Sequence, residues 1–322
     1  MAPVALPPVA RLPVAVVRSP AVRVQVLLTH WQTEPLALVA LAVTVAFGAA
    51  YLVAIRRLQA RGRGWSRWRT ASFLGGLAII VVAVDSGVAA YDDSVFTVHV
   101  VQHLLLMSMA PPLLGLGAPL TLALQTTARP VKTRILKVLH SPPLQLLANP
   151  GVAVALGLGT MYAYFLTGIY PFSVHHPLFH DYTHLHFLVV GCLYWWPILS
   201  VDPMPRRLGF GARMGMLAVT VPFNAFLGIA IMNMSRPIAS VHTLADTHAG
   251  GALLWGFSEL FTLAALAVVF TQWSRAEERK AARDDRLVAP AGGRGWTGPM
   301  PGAGPVPSRS PTPPAGQGSP PG

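Results

Sequence analysis

Seven stretches of this chain are apolar over lengths that reach, or nearly reach, the roughly 20 residues a helix needs to cross a bilayer. They fall near Leu36–Ile55, Phe73–Ala90, Val95–Leu124, Val152–Ile169, Leu185–Leu199, Met214–Met234 and Gly251–Phe270. Inside hydrocarbon each backbone amide must find its partner within the protein, so an isolated run of this length has helix as its way across. Composition agrees: 53% of the 322 residues are hydrophobic and 11% are charged, against about 25% charged in a soluble domain. The expected fold class is an all-α integral membrane protein, a seven-transmembrane-helix bundle. The fifth run is short unless its helix begins back at Pro177, a residue suited to a first helical turn. The third run is long and carries Pro111-Pro112, which predicts a kink or a break there.

The net charge of +12 would suit nucleic acid, but its distribution points to topology instead. Arg56, Arg57, Arg61, Arg63, Arg67 and Arg69 fill the first connection; Arg129, Lys132, Arg134 and Lys137 the third; Arg206, Arg207 and Arg213 the fifth; and Arg275, Arg279, Lys280, Arg283 and Arg286 follow the last run. Tyr91–Ser94 and Tyr170–Thr183 hold no Lys or Arg, and Ser235–Gly250 holds only Arg236. Basic connections stay in the cytoplasm, so the N-terminus is expected outside and the C-terminus in the cytoplasm. Arg11, Arg18 and Arg23 run against that assignment. Three segments follow: a Pro/Val-rich N-terminal extension over 1–30, a membrane domain over 31–273, and a charged segment with a Pro/Gly-rich tail over 274–322. The extension does not read as a signal peptide, because no short apolar core precedes a small-residue cleavage site. The tail is too poor in large apolar residues to bury a core and is expected to be disordered. The single cysteine, Cys192, excludes an intramolecular disulfide or a multi-thiolate metal site and reads as a packing residue.

On this topology all but His140 of the eleven histidines lie on the outer side. In HVVQH, His99 and His103 sit one turn apart on one helical face. HHPLFHDYTHLH holds five histidines in twelve residues. If Pro177 opens a helix, His180 and His184 share a face, His176 lies just before the start, and His186 points elsewhere. Asp181 among them could orient an imidazole through its second ring nitrogen. The sixth connection brings His242, Asp246 and His248 after Met232 and Met234, and thioether with imidazole suits Cu(I). Each feature has a plainer reading: hydrogen-bonded helix histidines, a polar interfacial loop, methionine as filler, which serves equally for Met107 and Met109. Asp85 and Glu259 are carboxylates within apolar runs, functional candidates by their cost in lipid. Trp31, beside His30, is an ordinary interfacial anchor.

Three segments, HVVQHLLLMSMAPPLLGLGAPL, HPLFHDYTHLHFLVVGCLYWWPIL and LADTHAGGALLWGFSEL, resemble signature segments of the CtaG-type assembly factors of caa3-type cytochrome c oxidase. The resemblance covers roughly Trp31 to Trp273. It implies a bacterial plasma-membrane protein that helps haem-copper oxidases mature by supplying copper, with His99, His103, His176, His180, His184 and His186 taking part; separately, no nucleophile–base constellation or phosphate loop stands in the sequence, so no catalytic turnover is expected. It gives no such role to His248, whose position often carries glutamine in similar sequences. The implied partners are apo-oxidase subunits, a copper chaperone and the lipid bilayer, with no nucleic acid; the copper oxidation state is left open. Two other classes share the histidine pattern. Membrane di-metal desaturases and hydroxylases carry HxxxH boxes, though on the cytoplasmic side. A bis-histidine haem protein of electron transfer could use His103 opposite His184.

Overall fold

The computed structural model describes residues 24–205 and 207–288. Arg11, Arg18, Arg23, Arg206 and the Pro/Gly-rich tail lie outside the described residues. Within them the chain is helical, with one isolated bridge joining Trp31 to Ser86. In chain order the helices are α1 (Val24–Thr29), α2 (Pro35–Gln59), α3 (Arg67–Asp85) and α4 (Phe96–Leu104), a π-helical turn at Leu105–Met109, α5 (Ala110–Leu116), α6 (Pro119–Thr126) and α7 (Arg129–Leu139). There follow α8 (Pro142–Leu147), α9 (Pro150–Leu166), α10 (Ile169–Val174), α11 (Pro177–Leu199), α12 (Phe210–Met232) and α13 (Leu244–Val288).

The chain is an all-α, multi-pass membrane protein. Five helical segments are long and apolar enough to cross a bilayer: α2, α3, the continuous Phe96–Thr126 stretch, α12 and α13. The two other expected runs correspond to α9, apolar but 17 residues long, and α11, 23 residues long with its histidines in the first half. Pro177 does open α11, as its fixed φ favours. The second run was expected to reach Ala90, but α3 stops at Asp85, where Ser86 turns extended.

The proline pair perturbs the third run on both sides rather than at one point. Pro111 has no N–H to give to Met107 O, and its ring crowds that carbonyl. The turn before it widens into the π segment, and the indole N–H of Trp195 donates to Met107 O at 3.1 Å in place of the lost amide. Trp196 donates likewise to Pro111 O at 3.0 Å. The chain then breaks at Ala118, which adopts left-handed φ 52°. Gly191 lets α11 press against this segment: a Cβ there would stand 2.6 Å from Met107 O.

Three apolar clusters hold the helices together. One gathers Phe96, Val100, Leu104, Tyr164, Phe165, Tyr170, Phe187, Leu227, Ile231 and Leu254 around the beginnings of α4 and α11. A second joins Trp195, Ile198, Met216, Leu217 and Val269 toward the other end of α11. The third packs α2 on α3, α5 and α6, with Cys192 on its edge, the packing role read for it. The chain divides into two compact units between Trp273 and Ser274; of the second unit the charged end of α13 is described, and its side chains are largely exposed.

Candidate metal centre

Three connections meet at one end of the bundle: residues 86–95, 167–176 and 233–243. Asp246, in the first turn of α13, fixes their alignment. Its carboxylate accepts from the backbone of Phe96 at 2.7 Å and Thr97 at 3.1 Å, and from the Thr97 hydroxyl at 2.7 Å. This satisfies amides that a helix start leaves unpaired and sets the rotation of α4, so that His99 and His103 turn inward.

Opposite them α11 presents His180 and His184, also one turn apart. All four rings are buried. His99 and His103 lie 4.2 Å apart between ring centroids, His99 and His180 5.1 Å, His180 and His184 4.7 Å, and His103 and His184 5.9 Å. Asp92, from the α3–α4 connection, joins them: its Oδ2 is 4.0 Å from His180 Nε2 and 3.9 Å from His184 Nε2. Two groups of three donors, His99–His103–His180 and Asp92–His180–His184, each place one ligand atom per residue within 4.8 Å of the others.

Surrounding groups fix these donors. His180 Nδ1 stands 2.8 Å from Asp93 Oδ1, the carboxylate–imidazole pairing that orients a metal-binding histidine and leaves its other nitrogen as the donor. Gln102, between the two α4 histidines, donates to Ala83 O at 2.9 Å and to Asp92 Oδ2 at 2.7 Å. With both amide hydrogens used, its Oε1 accepts from His184 Nε2 at 3.0 Å. Tyr164 reaches Ser173 at 2.9 Å and His99 Nε2 at 3.4 Å. Asp92 lies outside the spanning helices, and burial pushes its carboxyl up to about 7 despite the opposing pull of His180.

What distinguishes the cluster is what its members lack. Among the described residues His99 Nδ1, both nitrogens of His103, His180 Nε2 and His184 Nδ1 are buried with no hydrogen-bond partner. A buried polar atom left unpaired costs on the order of 1–3 kcal/mol. Ligand atoms of His99, His103 and His180 lie within 4.8 Å of one another, so one cation could satisfy several ring nitrogens at once. The cluster can therefore coordinate a metal ion, and imidazole with one carboxylate suits borderline ions such as copper or zinc.

The remaining sequence candidates lie elsewhere. His176 is exposed, stacks on Phe172 at 3.8 Å, and bonds its backbone. His186 turns to α9 and meets Thr160 at 3.1 Å. His242 stands behind the cluster: its Nε2 is 2.6 Å from the Tyr170 hydroxyl, and the Tyr170 ring lies 4.7 Å from His99. His248 bonds Met234 O at 2.9 Å, and Met234 packs on the apolar cluster while Met232 ends α12 half-buried. Asp181 borders a cavity, and Asp93 rather than Asp181 orients His180. Asp85 is buried at the end of α3, its carboxylate unpartnered among the described residues while its backbone carbonyl accepts from Gln32 at 2.8 Å. Glu259 is half-buried, with one oxygen likewise unpartnered. Sequence reading missed Asp92, Asp93 and Gln102. The acidic pair in YDDS and the polar residue inside HVVQH stand in the sequence, but nothing in their spacing ties them to the α11 histidines.

Fold and site together define a multi-pass helical membrane protein with a buried histidine–aspartate centre. The model of the cytochrome c oxidase caa3 assembly factor family (Caa3_CtaG) matches residues 49–276, and the chain belongs to that family. The uncharacterized proteins Mb0105 of Mycobacterium bovis and MT0111 of Mycobacterium tuberculosis are each 36% identical over 278 residues, covering 80% of this chain and 42% of their own. ML1998 of Mycobacterium leprae, also uncharacterized, is 32% identical over 263 residues, covering 76% of this chain and 40% of its own. The chain thus spans about two fifths of the length of the curated relatives it matches. No solved structure matches it. With bacterial relatives and spanning helices, it is a protein of the bacterial plasma membrane.

Proposed function

We propose that this protein is a membrane-bound assembly factor that holds copper for a haem-copper oxidase and passes it on by ligand exchange, without catalytic turnover. The observation that carries the reading is the convergence of His99, His103, His180 and His184 with their ring nitrogens buried and unpartnered. Asp92 completes the donor set, and Asp93 and Gln102 hold it in position. Copper is the cargo. The protein contributes a preoriented, water-poor set of imidazoles that can release the ion to a partner offering its own ligands. The recipient is an apo-oxidase subunit or a copper chaperone. His242 supports the site through Tyr170, while His176, His186 and the methionines lie outside the donor set. The haem alternative fits less well, because Phe187 and Tyr164 rings pack 4.0 Å and 5.1 Å from His103 and leave no slot for a porphyrin plane.

Topology is part of the proposal. Counting α9 and α11 as spans gives seven across residues 31–273, with the N-terminus outside and the C-terminus cytoplasmic. The arginine-rich connections then face the cytoplasm and the metal centre faces out. A reporter active only outside the cytoplasm, fused within Tyr170–Val174, is expected to be active, and one fused after Arg207 silent; the reverse pattern would move the centre to the cytoplasmic side. For the function itself, a strain lacking the gene is expected to lose oxidase activity and to regain part of it with added copper, since mass action refills a weakly supplied site. Unchanged oxidase activity in that strain would refute the assembly role.

A further inference from the structure

The buried donors form two triads that share one residue. His180 belongs to both His99–His103–His180 and Asp92–His180–His184. Its Nδ1 is committed to Asp93 at 2.8 Å, and its Nε2 is buried without a partner. A single lone pair must therefore serve both triads. It binds one ion at a time, so the two positions cannot both be filled through His180.

The triads also differ in what they face. A cavity of about 970 Å³, walled largely by α2, α3 and α11, is lined by Asp92, Asp93, His180 and His184, but not by His99 or His103. The all-imidazole triad instead sits among the rings of Tyr164, Phe165 and Phe187. One triad thus contains a hard carboxylate donor and borders this cavity. The other contains nitrogen donors alone and lies deeper, with only His103 bordering a separate small cavity of about 60 Å³. Carboxylate favours harder ions, and imidazole is the better donor for copper.

We propose that the cluster is a two-position site for a single Cu(I) ion: an outer exchange position at Asp92–His180–His184 and an inner resting position at His99–His103–His180, with His180 bound throughout. This rests on the copper reading above. Moving inward, the ion loses its bonds to Asp92 and His184 and gains bonds to His99 and His103. No electron moves, and the vacated Asp92 carboxylate keeps the Gln102 amide as its donor. The cavity is the route by which the ion enters and leaves.

The test uses the full chain in lipid nanodiscs, loaded anaerobically with Cu(I) alone and then challenged with the chelator bicinchoninate. Wild type is expected to bind one copper per chain. His103→Ala, restricted to the outer position, should still bind one at saturation but release it faster, by roughly tenfold, the scale on which metal sites respond to a lost supporting group. Asp92→Asn, restricted to the inner position, should bind one and release it more slowly by a similar factor. Because Asp92 also bonds Gln102, His184→Gln provides a second way to close the outer position and should slow release as well. His180→Ala should bind none. Copper K-edge absorption should show an oxygen ligand in His103→Ala and none in Asp92→Asn. Two coppers per wild-type chain would overturn the proposal. So would release at the wild-type rate from all three restricted variants, or loss of copper from each as complete as from His180→Ala, which would mean one indivisible site. If wild type binds no copper, the copper reading itself falls and this proposal with it; the results above overturn the two-position site alone.

Discussion

The two ends of the bundle use polar side chains in opposite ways. At the arginine-rich end they are paired. Asp202 accepts from the Leu120 and Thr121 amides at 3.1 and 2.7 Å and from the Thr121 hydroxyl at 2.6 Å, capping α6. Arg61 closes the other terminus of that helix on Gln125 O and Thr126 O at 3.0 and 3.2 Å. Arg213 bonds Ile198 O and reaches Gln272 at 2.8 Å. At the histidine end Asp246 repeats the Asp202 arrangement on α4, yet beside it the four-histidine cluster leaves nitrogens unsatisfied. The aspartate caps carry structure, and saturation is their signature. The histidines form a cluster able to coordinate a metal, and its mark is buried ring nitrogens without hydrogen-bond partners among the described residues.

His180, shared by both donor triads, is where the largest effect is expected. In cells, His180→Ala is expected to abolish oxidase activity as completely as deleting the gene, with the variant protein present in membranes at the normal level by immunoblot. Normal activity would show that the shared imidazole is as structural as the capping aspartates. Next in size are the caps themselves. Asp202→Ala and Asp246→Ala should each destabilise the fold by about 1–2 kcal/mol, the cost of losing a good N-cap, read as a lower Tm in detergent. The two should part on metal: Asp246→Ala frees the start of α4, which aims His99, and so should weaken copper retention, whereas Asp202→Ala should leave it intact. Equal copper retention in both would mean that the cap does not orient the site. The smallest effects belong to His176→Ala and His186→Ala, whose partners are a backbone carbonyl and a threonine; both should keep wild-type copper content by metal analysis. A marked loss in either would enlarge the donor set beyond the buried cluster.

Much of this division can be read in the sequence, because lipid constrains it strongly. The spacing of apolar runs gives the helices, Pro177 gives the start of α11, and the four-residue spacing within each pair gives the faces of His99/His103 and His180/His184. Helical phase also explains why the same motif yields unequal histidines. His186 lies two residues past His184, about 200° around the helix at 3.6 residues per turn, and so meets α9, while His176 precedes the first turn. The apolar pattern thins where the histidines fall. The first half of α11 trades apolar residues for histidines, which is why length and apolarity alone do not mark it as a span. Asp92 and Asp93 were illegible for a different reason. They reach His180 and His184 only through the conformation of the α3–α4 connection, which no periodicity encodes, and α3 ends earlier than its apolar run. Gln102 is fixed by Ala83 O and Asp92 together, a tertiary arrangement invisible within HVVQH.

If the unpartnered imidazoles bind copper, equilibrium dialysis will show it. Purified full-length protein and its His180→Ala variant, dialysed anaerobically against Cu(I) and analysed for metal, should differ completely, with copper retained by the wild type and none by the variant. Equal copper in both, or none in either, would contradict the account.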